Sequence, residues 1–409
     1  MEMTLYLMTS SFGSIFAEVA QVYASAPGRI NLIGEHTDYN EGFVLPMAIE
    51  QRTYVVARPM YGDLVRVKSE GFDKIEEFCI RKPMTKNDGW ADYVAGVTDQ
   101  FIRSGRAIEG FWALYLGEVP IGLGLSSSAA LEVATAVMLS ELFGHPLKPE
   151  QTALLTRTAE SEFVGVRCGV MDQLTSLMAR EGNALFIDCR DLSVEQIPLN
   201  LKDALFVAVD TKVKRELGSA AYNDRRAECE AAAAALKKVK PKATALRDAD
   251  ASDLDKIKGS VSETIHRRAR HVVTENHRVL RAKEFLKKGA LDDFGGLMYE
   301  SHASLKDDYE VSCPELDAVV ETARATSGVY GARMTGGGFG GCAVALLERS
   351  ALPGFTEAVT AAFAANEWAA PTVFEVKASA GAKAERLHIK FPEKEPEPPV
   401  EEKKEKKEK

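Results

Sequence analysis

Apolar residues along this chain recur at two different spacings, short strand-like runs and longer helical ones, and the later half alternates long helices with strands. GFVLPMAI from Gly42, TYVVARPM from Thr53, LVRVKS from Leu64 and IEEFCI from Ile75 read as short strands separated by Arg, Gly-Asp and Gly-Phe-Asp breaks, which predicts a meander-like sheet. Trp90 to Ser104 has helical spacing, and Phe111 to Glu118 alternates like a half-buried strand closed by Pro120. Helices follow from Ser127 to Phe143, ended by Gly144 and Pro146, and from Pro149 to about Val164. Strands are predicted at 184–189, 194–199 and 204–209. Beyond them, helices at 219–238, 263–288, 291–309 and 314–326 alternate with strands near Ala332 and at 342–347 and 372–376.

One segment fits neither pattern. APGRINLIGEHTDY, from Ala26 to Tyr39, sets Arg29, Glu35, His36 and Asp38 among the apolar anchors Ile30, Leu32 and Ile33. A surface loop has no need of those anchors, and a plain core strand could not bury four such groups without partners. A pocket for a hydroxyl-rich small molecule reconciles the two, since carboxylates accept, arginine donates and imidazole does either.

A length of 409 residues favours two domains sharing a cleft, divided around 198–203 into units 1–200 and 201–389. The remainder, 390–409, holds seven lysines, seven glutamates and four prolines, and is predicted to be a disordered tail. A net charge of -9, with no basic stripe, argues against nucleic acid. Six scattered cysteines without a CxxC pair suggest reduced thiols rather than zinc ligands. With no apparent signal peptide and no apolar run of about 18 residues, a cytoplasmic protein without membrane attachment is expected.

Three further segments carry candidate chemistry. In IGLGLSSSAALEVATAVML, from Ile121, Gly122 and Gly124 permit close backbone approach, Ser126, Ser127 and Ser128 supply hydroxyls and caps, and a helix begins at once. Its free amides and dipole make an anion site suited to phosphate, although an ordinary Ser-capped helix is the competing reading. No GK[ST] follows, so this is not a Walker loop. Glu132 lies one turn into the helix and Glu160 on the next one; such a carboxylate with a serine hydroxyl could hold magnesium. In RCGVMDQLTSLM, from Arg167, Gly169 precedes Asp172 at a predicted helix start, where an aspartate alone is usually a dipole partner. GARMTGGGFGGCAVALL, from Gly331, has five glycines between Gly336 and Gly341, which reads either as close domain packing or as the lining of a phosphate or sugar pocket.

Taken together, GRINLIGEHTDYNEGFVLPMAI, VPIGLGLSSSAALEVA, CGVMDQ, RRARHVV, SLKDDYEVSCPELD and RMTGGGFGG resemble the motifs of the GHMP kinase superfamily, and the first resembles its galactokinase signature. The resemblance runs from about Ala26 to Ile389. It implies an N-terminal mixed-sheet α/β domain and a C-terminal ferredoxin-like α+β domain with the active site between them. It also implies ATP-dependent phosphorylation of a galactose C1 hydroxyl. Asp172 would be the catalytic aspartate and Arg29 its partner; Arg29, Glu35, His36, Asp38, Gly169, Asp172 and Tyr222 would bind the sugar. Trp90, Gly122, Gly124, Leu125, Ser126, Ser127, Ser128 and Ala129 would bind ATP, with Ser128 and Glu160 as ligands of Mg2+ and Gly336, Gly337 and Gly338 backing the site. The implied partners are galactose and ATP, and the expected state is a monomer or weak homodimer. Leu123 stands where the family often has a small residue, and the charged tail lies past its usual end. A kinase for N-acetylgalactosamine or another galactose-like sugar and a non-catalytic galactose and ATP sensor are the competing readings.

Overall fold

The computed structural model describes residues 2–214 and 218–387, so the charged segment 390–409 lies outside the described residues. In chain order the strands are β1 (Val22–Asn31), β2 (Phe43–Val44), β3 (Pro46–Met60), β4 (Leu64–Ser69), β5 (Glu76–Cys79), β6 (Gly110–Gly117) and β7 (Asn183–Asp188). Then come β8 (Ser193–Pro198), β9 (Ala204–Asp210), β10 (Val329–Thr335), β11 (Cys342–Glu348), β12 (Thr372–Val376) and β13 (Lys383–Arg386). The helices are α1 (Glu2–Phe16), α2 (Ala91–Arg103), α3 (Ser127–Phe143), α4 (Pro149–Ala159), α5 (Met171–Met178) and α6 (Gly218–Val239). They continue with α7 (Ala251–Ile257), α8 (Glu263–Lys288), α9 (Leu291–Asp307), α10 (Pro314–Ala325) and α11 (Leu352–Ala365).

The first half is built on a six-stranded sheet in the order β13-β1-β3-β6-β4-β5. Every residue of β1 is buried, because the sheet is covered on both sides. Met8, Phe12 and Phe16 of α1 pack on Tyr23, Val56 and Leu114, while Val133, Ala134 and Leu139 of α3 pack on the other face with Val22, Ala24 and Ala26. The expected meander is wrong on two counts. The runs from Gly42 and Thr53 form one continuous strand after the short β2, and β4 does not pair with β3 but lies parallel to β6. Alternation within a run says nothing about which strand will be its neighbour, and two-sided burial rewards the crossover.

The second half carries an antiparallel four-stranded sheet, β10-β11-β9-β12. One face of β9 and β11 packs Leu205, Val207, Ala343 and Ala345 against the long helices. The other face sends Phe206, Val344 and Leu346 into a layer shared with Ile30, Leu32 and Ile33. The apolar anchors of the polar segment therefore sit where the two halves meet. A third sheet, β2-β7-β8, closes one side, and β13 brings the chain back from the second half to pair with β1. Helix α8 runs as its spacing predicts, from a Ser262 cap whose hydroxyl accepts from the Ile265 amide to Gly289 at φ 67°. Among the described residues no helix is long and apolar enough to cross a membrane.

Candidate active site

Arg29 sits just after an irregularity in the β1–β3 register, and its amide donates to the Leu125 carbonyl at 3.0 Å. Its guanidinium donates to the Gly124 carbonyl and forms an ion pair with Asp172 in the first turn of α5, Nη2 to Oδ1 2.8 Å. The Ser126 hydroxyl reaches the other Asp172 oxygen at 2.6 Å. Ser126, Ser127 and Ser128 were expected to supply caps for α3; Ser126 occupies the capping position at φ 60° but makes no side-chain cap bond, its hydroxyl holding Asp172 instead. One carboxylate is thus oriented by a strand, a turn and its own helix.

Glu35, 1% exposed, accepts from Asn31 Nδ2 and the Gly336 amide, both at 2.7 Å, and pairs with Arg333 at 3.3 Å. It ties the polar segment to the start of the glycine-rich loop. A second buried carboxylate, Glu275, supports the same turn by accepting from the Gly34 amide at 2.9 Å and pairing with Arg278 at 2.6 Å. Burial pushes the Glu275 carboxyl up, but Arg278 and its other partners outweigh it and hold it at about 2. His36, at φ 62°, has Nδ1 2.8 Å from the Tyr39 hydroxyl, which continues to the Tyr309 hydroxyl at 2.8 Å and to Cys229 Sγ at 3.1 Å. Asp38 presses on Gly169 so closely that a Cβ there would fall 1.9 Å from Oδ2. Burial first, then the neighbouring Asp172, push the Asp38 carboxyl up to about 6.

Glu35, His36, Asp38, Gly169, Asp172, Arg29 and Tyr222 line one cavity of about 350 Å³ together with Gly122, Gly124, Ser126, Ser127, Ser128, Glu160 and Gly336, Gly337 and Gly338. That is the size of a small-ligand site. Leu125 and Ala129 do not line it: both are buried beneath the turn. Trp90 lines an adjoining, more apolar cavity of about 190 Å³ with Phe72 and Tyr115, which shares Tyr93, Ile121, Ser127 and Ser128 with the first. The start of α3, through Ser127 and Ser128, lies where the two cavities meet, and a helix N-terminus suits an anion there.

Glu160 was expected within a regular helix; α4 instead opens at Glu160 into a π turn, Glu160–Val164, closed by Gly165 at φ 98°. The turn delivers Glu160 beside Ser128, with Oε2 accepting from Gln173 at 2.9 Å and from Cys168 Sγ at 3.2 Å. Burial pushes the carboxyls of Glu160 and Glu132 up, with Glu160 adding to the shift of Glu132. Among the described residues no group of three or more His, Cys, Asp and Glu could hold a metal, so any cation here would depend on hydroxyl, water or substrate oxygens as well.

Residues 10–59 match the galactokinase galactose-binding signature, 92–180 the GHMP kinases N-terminal domain and 282–365 the GHMP kinases C-terminal domain. A galactokinase of Roseiflexus sp. (strain RS-1) is 44% identical over 360 residues, covering 88% of this chain and 92% of that protein. The chain belongs to the galactokinase family of GHMP kinases. The galactokinase of Homo sapiens is also 44% identical, over 84% of this chain and 88% of its own. The crystal structure of Lactococcus lactis galactokinase complexed with galactose superposes with a TM-score of 0.89 at 36% identity, covering 93% of this chain and 99% of that one. A mevalonate kinase, TM-score 0.60 at 19% identity, shares the fold. As a galactokinase-family member the chain is an ATP-using phosphotransferase with the two-part, mixed α/β fold of GHMP kinases.

Sequence reasoning passed over several residues that this galactokinase-family site uses. Tyr93, three positions after Trp90 on the same helical face, lines both cavities, a signal that helical spacing offered. Tyr39, Tyr309 and Cys229 stand behind His36, and Gln173 and Cys168 behind Glu160. Tyr39 is only three residues from His36, but Tyr309 and Cys229 come from distant segments, and no local pattern joins them to it.

Proposed function

We propose that this chain transfers the γ-phosphoryl group of ATP to the C1 hydroxyl of galactose, releasing ADP and galactose 1-phosphate. The observation that carries this reading is the Arg29–Asp172 ion pair at 2.8 Å, set in a cavity that the sugar-signature segment and the glycine-serine turn line together. Phosphoryl transfer needs alignment of attacking and leaving oxygens and stabilisation of spreading charge, with modest proton chemistry. Asp172, fixed by Arg29 and Ser126, orients the C1 hydroxyl and receives its proton as the new O–P bond forms and the bond to the β-phosphate oxygen breaks. Arg29 stabilises the developing negative charge. Glu35, His36, Asp38, the Gly169 backbone and Tyr222 select the sugar. The α3 N-terminus and the turn from Gly122 to Ser128 hold the phosphates, and the Trp90 cavity takes the base.

The Ser128 hydroxyl and the buried Glu160 carboxylate suit a hard cation, which asks for oxygen donors and usually keeps waters and substrate phosphates in its shell. Magnesium bound there would neutralise charge on the phosphates. The division into 1–200 and 201–389 follows the reading that the sugar motif and phosphate turn belong to the first unit. The enzyme would act in the cytoplasm as a monomer or weak homodimer.

An ADP-release assay against galactose, N-acetylgalactosamine, glucose, arabinose and mevalonate tests the reading. Turnover should be highest with galactose, and Asp172→Asn should lower kcat roughly 10²- to 10⁴-fold with ATP binding retained. Activity confined to mevalonate, or near-normal turnover in Asp172→Asn, would overturn it.

A further inference from the structure

Glu132, which no step above uses, is fully buried in the first turns of α3, where its carboxyl also meets that of Glu160 directly. Its Oε2 accepts from Gln173 Nε2 at 3.3 Å, and the same amide nitrogen donates to Glu160 Oε2 at 2.9 Å. A primary amide has two N–H bonds and here faces two carboxyl groups, so each bond has one acceptor. Gln173 is itself fully buried and stands one residue after Asp172 in α5. Cys168 Sγ, 3.2 Å from the same Glu160 oxygen, completes the grip. Both donors act on Oε2. Ser128 meets the same carboxyl from the cavity side.

Glu160 sits at the opening of a π turn, and a carboxylate free to rotate would present its oxygens to a cation only part of the time. We propose that Gln173, itself held by Glu132, is a positioning residue that turns Glu160 so that one oxygen is free for a divalent cation shared with Ser128. This rests on the reading of Ser128 and Glu160 as magnesium ligands. Groups that orient a metal ligand in this way typically alter metal affinity by about 10- to 100-fold when removed.

The test reads metal binding directly, by Mn2+ titration of the full-length protein with ADP, followed by electron paramagnetic resonance. Gln173→Leu should weaken Mn2+ binding by roughly 10- to 100-fold, while metal-free ADP affinity and the galactose KM stay within about twofold. Glu132→Gln keeps an oxygen for the Gln173 amide and should bind Mn2+ like the wild type; Glu132→Leu removes that acceptor and should not. The Glu132 pair decides the matter even if Gln173→Leu fails to fold. Unchanged Mn2+ affinity in folded Gln173→Leu, or equal loss in the two Glu132 variants, overturns the inference. Glu160→Gln separates the two levels. If it weakens Mn2+ binding and Gln173→Leu does not, positioning by Gln173 alone is refuted; if it leaves binding intact, the ligand assignment falls as well.

Discussion

The sugar side and the phosphate side of this cavity are built in opposite ways. From Arg29 to Thr37 every residue is buried, and the polar groups are held by partners from both halves: Glu35 by Asn31 of the first and by Gly336 and Arg333 of the second, the Gly34 amide by Glu275. From Ile121 to Ser128 the chain is open at its start and buried only at Leu125 and Ser126; Ile121 is 77% exposed, and a Cβ on Gly122 would meet nothing within 4 Å. The difference follows from what each side must recognise. A neutral sugar is told from its isomers by hydroxyl positions, so the groups that read it must be fixed and desolvated before it arrives. Phosphate is charged and tolerant, and backbone amides at a helix start bind it while water satisfies them in its absence.

Substitutions on the two sides should therefore fail differently. Of the substitutions that separate the two sides, the largest effect is expected from Gly169→Ala, whose methyl group would overlap the Asp38 carboxyl group and displace it. Steady-state kinetics should show the galactose KM raised more than about tenfold and the ATP KM within about twofold, the loss of roughly 1.4 kcal/mol or more that a displaced hydrogen-bonding group produces. A galactose KM unchanged by this methyl group would break the picture of a rigid sugar side.

Asp38 supplies a pH-dependent version. Its folded value of about 6 lies above the ordinary 3.8, so its contribution to stability is full below about 3.8 and is lost as pH rises through about 6. In the sugar-free protein Asp38→Asn should accordingly be the more stable form at pH 7, by at most about 3 kcal/mol, and the advantage should vanish at pH 4. Urea unfolding at the two pH values measures this, and the same variant should bind galactose more weakly. An Asn variant less stable than wild type at pH 7 would mean that Asp38 is already well compensated without sugar.

The smallest effect belongs to the open side. Gly122→Ala meets no atom, but φ is 81°, a left-handed conformation that costs a side chain about 1 kcal/mol. The ATP KM should rise about fivefold with the galactose KM unchanged. A matching rise in both constants would show that the turn and the sugar side move as one.

Much of this was legible in the chain. The long helices, the end of α3 at Gly144 and the start of α4 at Pro149 follow from spacing, a left-handed glycine and a proline in the first turn. The polar segment declared itself because four functional groups among apolar anchors demand partners. Less could be read where pairing is distant. β13, only four residues long and partly exposed, carries no alternation to mark it and exists because the edge of β1 is there to receive it. The helix α1 was passed over because its apolar residues are interspersed with hydroxyls, and only the sheet face beneath shows which of them are buried. Glu160 was read as an ordinary helical residue, since nothing local distinguishes a π turn from another turn of helix.

The sequence by itself determined the elements and the chemical stock of the site: an arginine, acidic groups, hydroxyls and glycines at positions that suit a binding turn. Periodicity, caps and glycine conformations act over a few residues, so they are written locally. Tertiary structure decided which groups meet. Arg29 and Asp172 become an ion pair, Ser126 gives up its capping bond to hold the same carboxylate, and Gln173 comes to stand between Glu132 and Glu160. Those meetings depend on sheets being buried on both faces and on the apolar layer around Ile30, Leu32 and Ile33 joining the halves, and interactions that far apart leave no period in the chain.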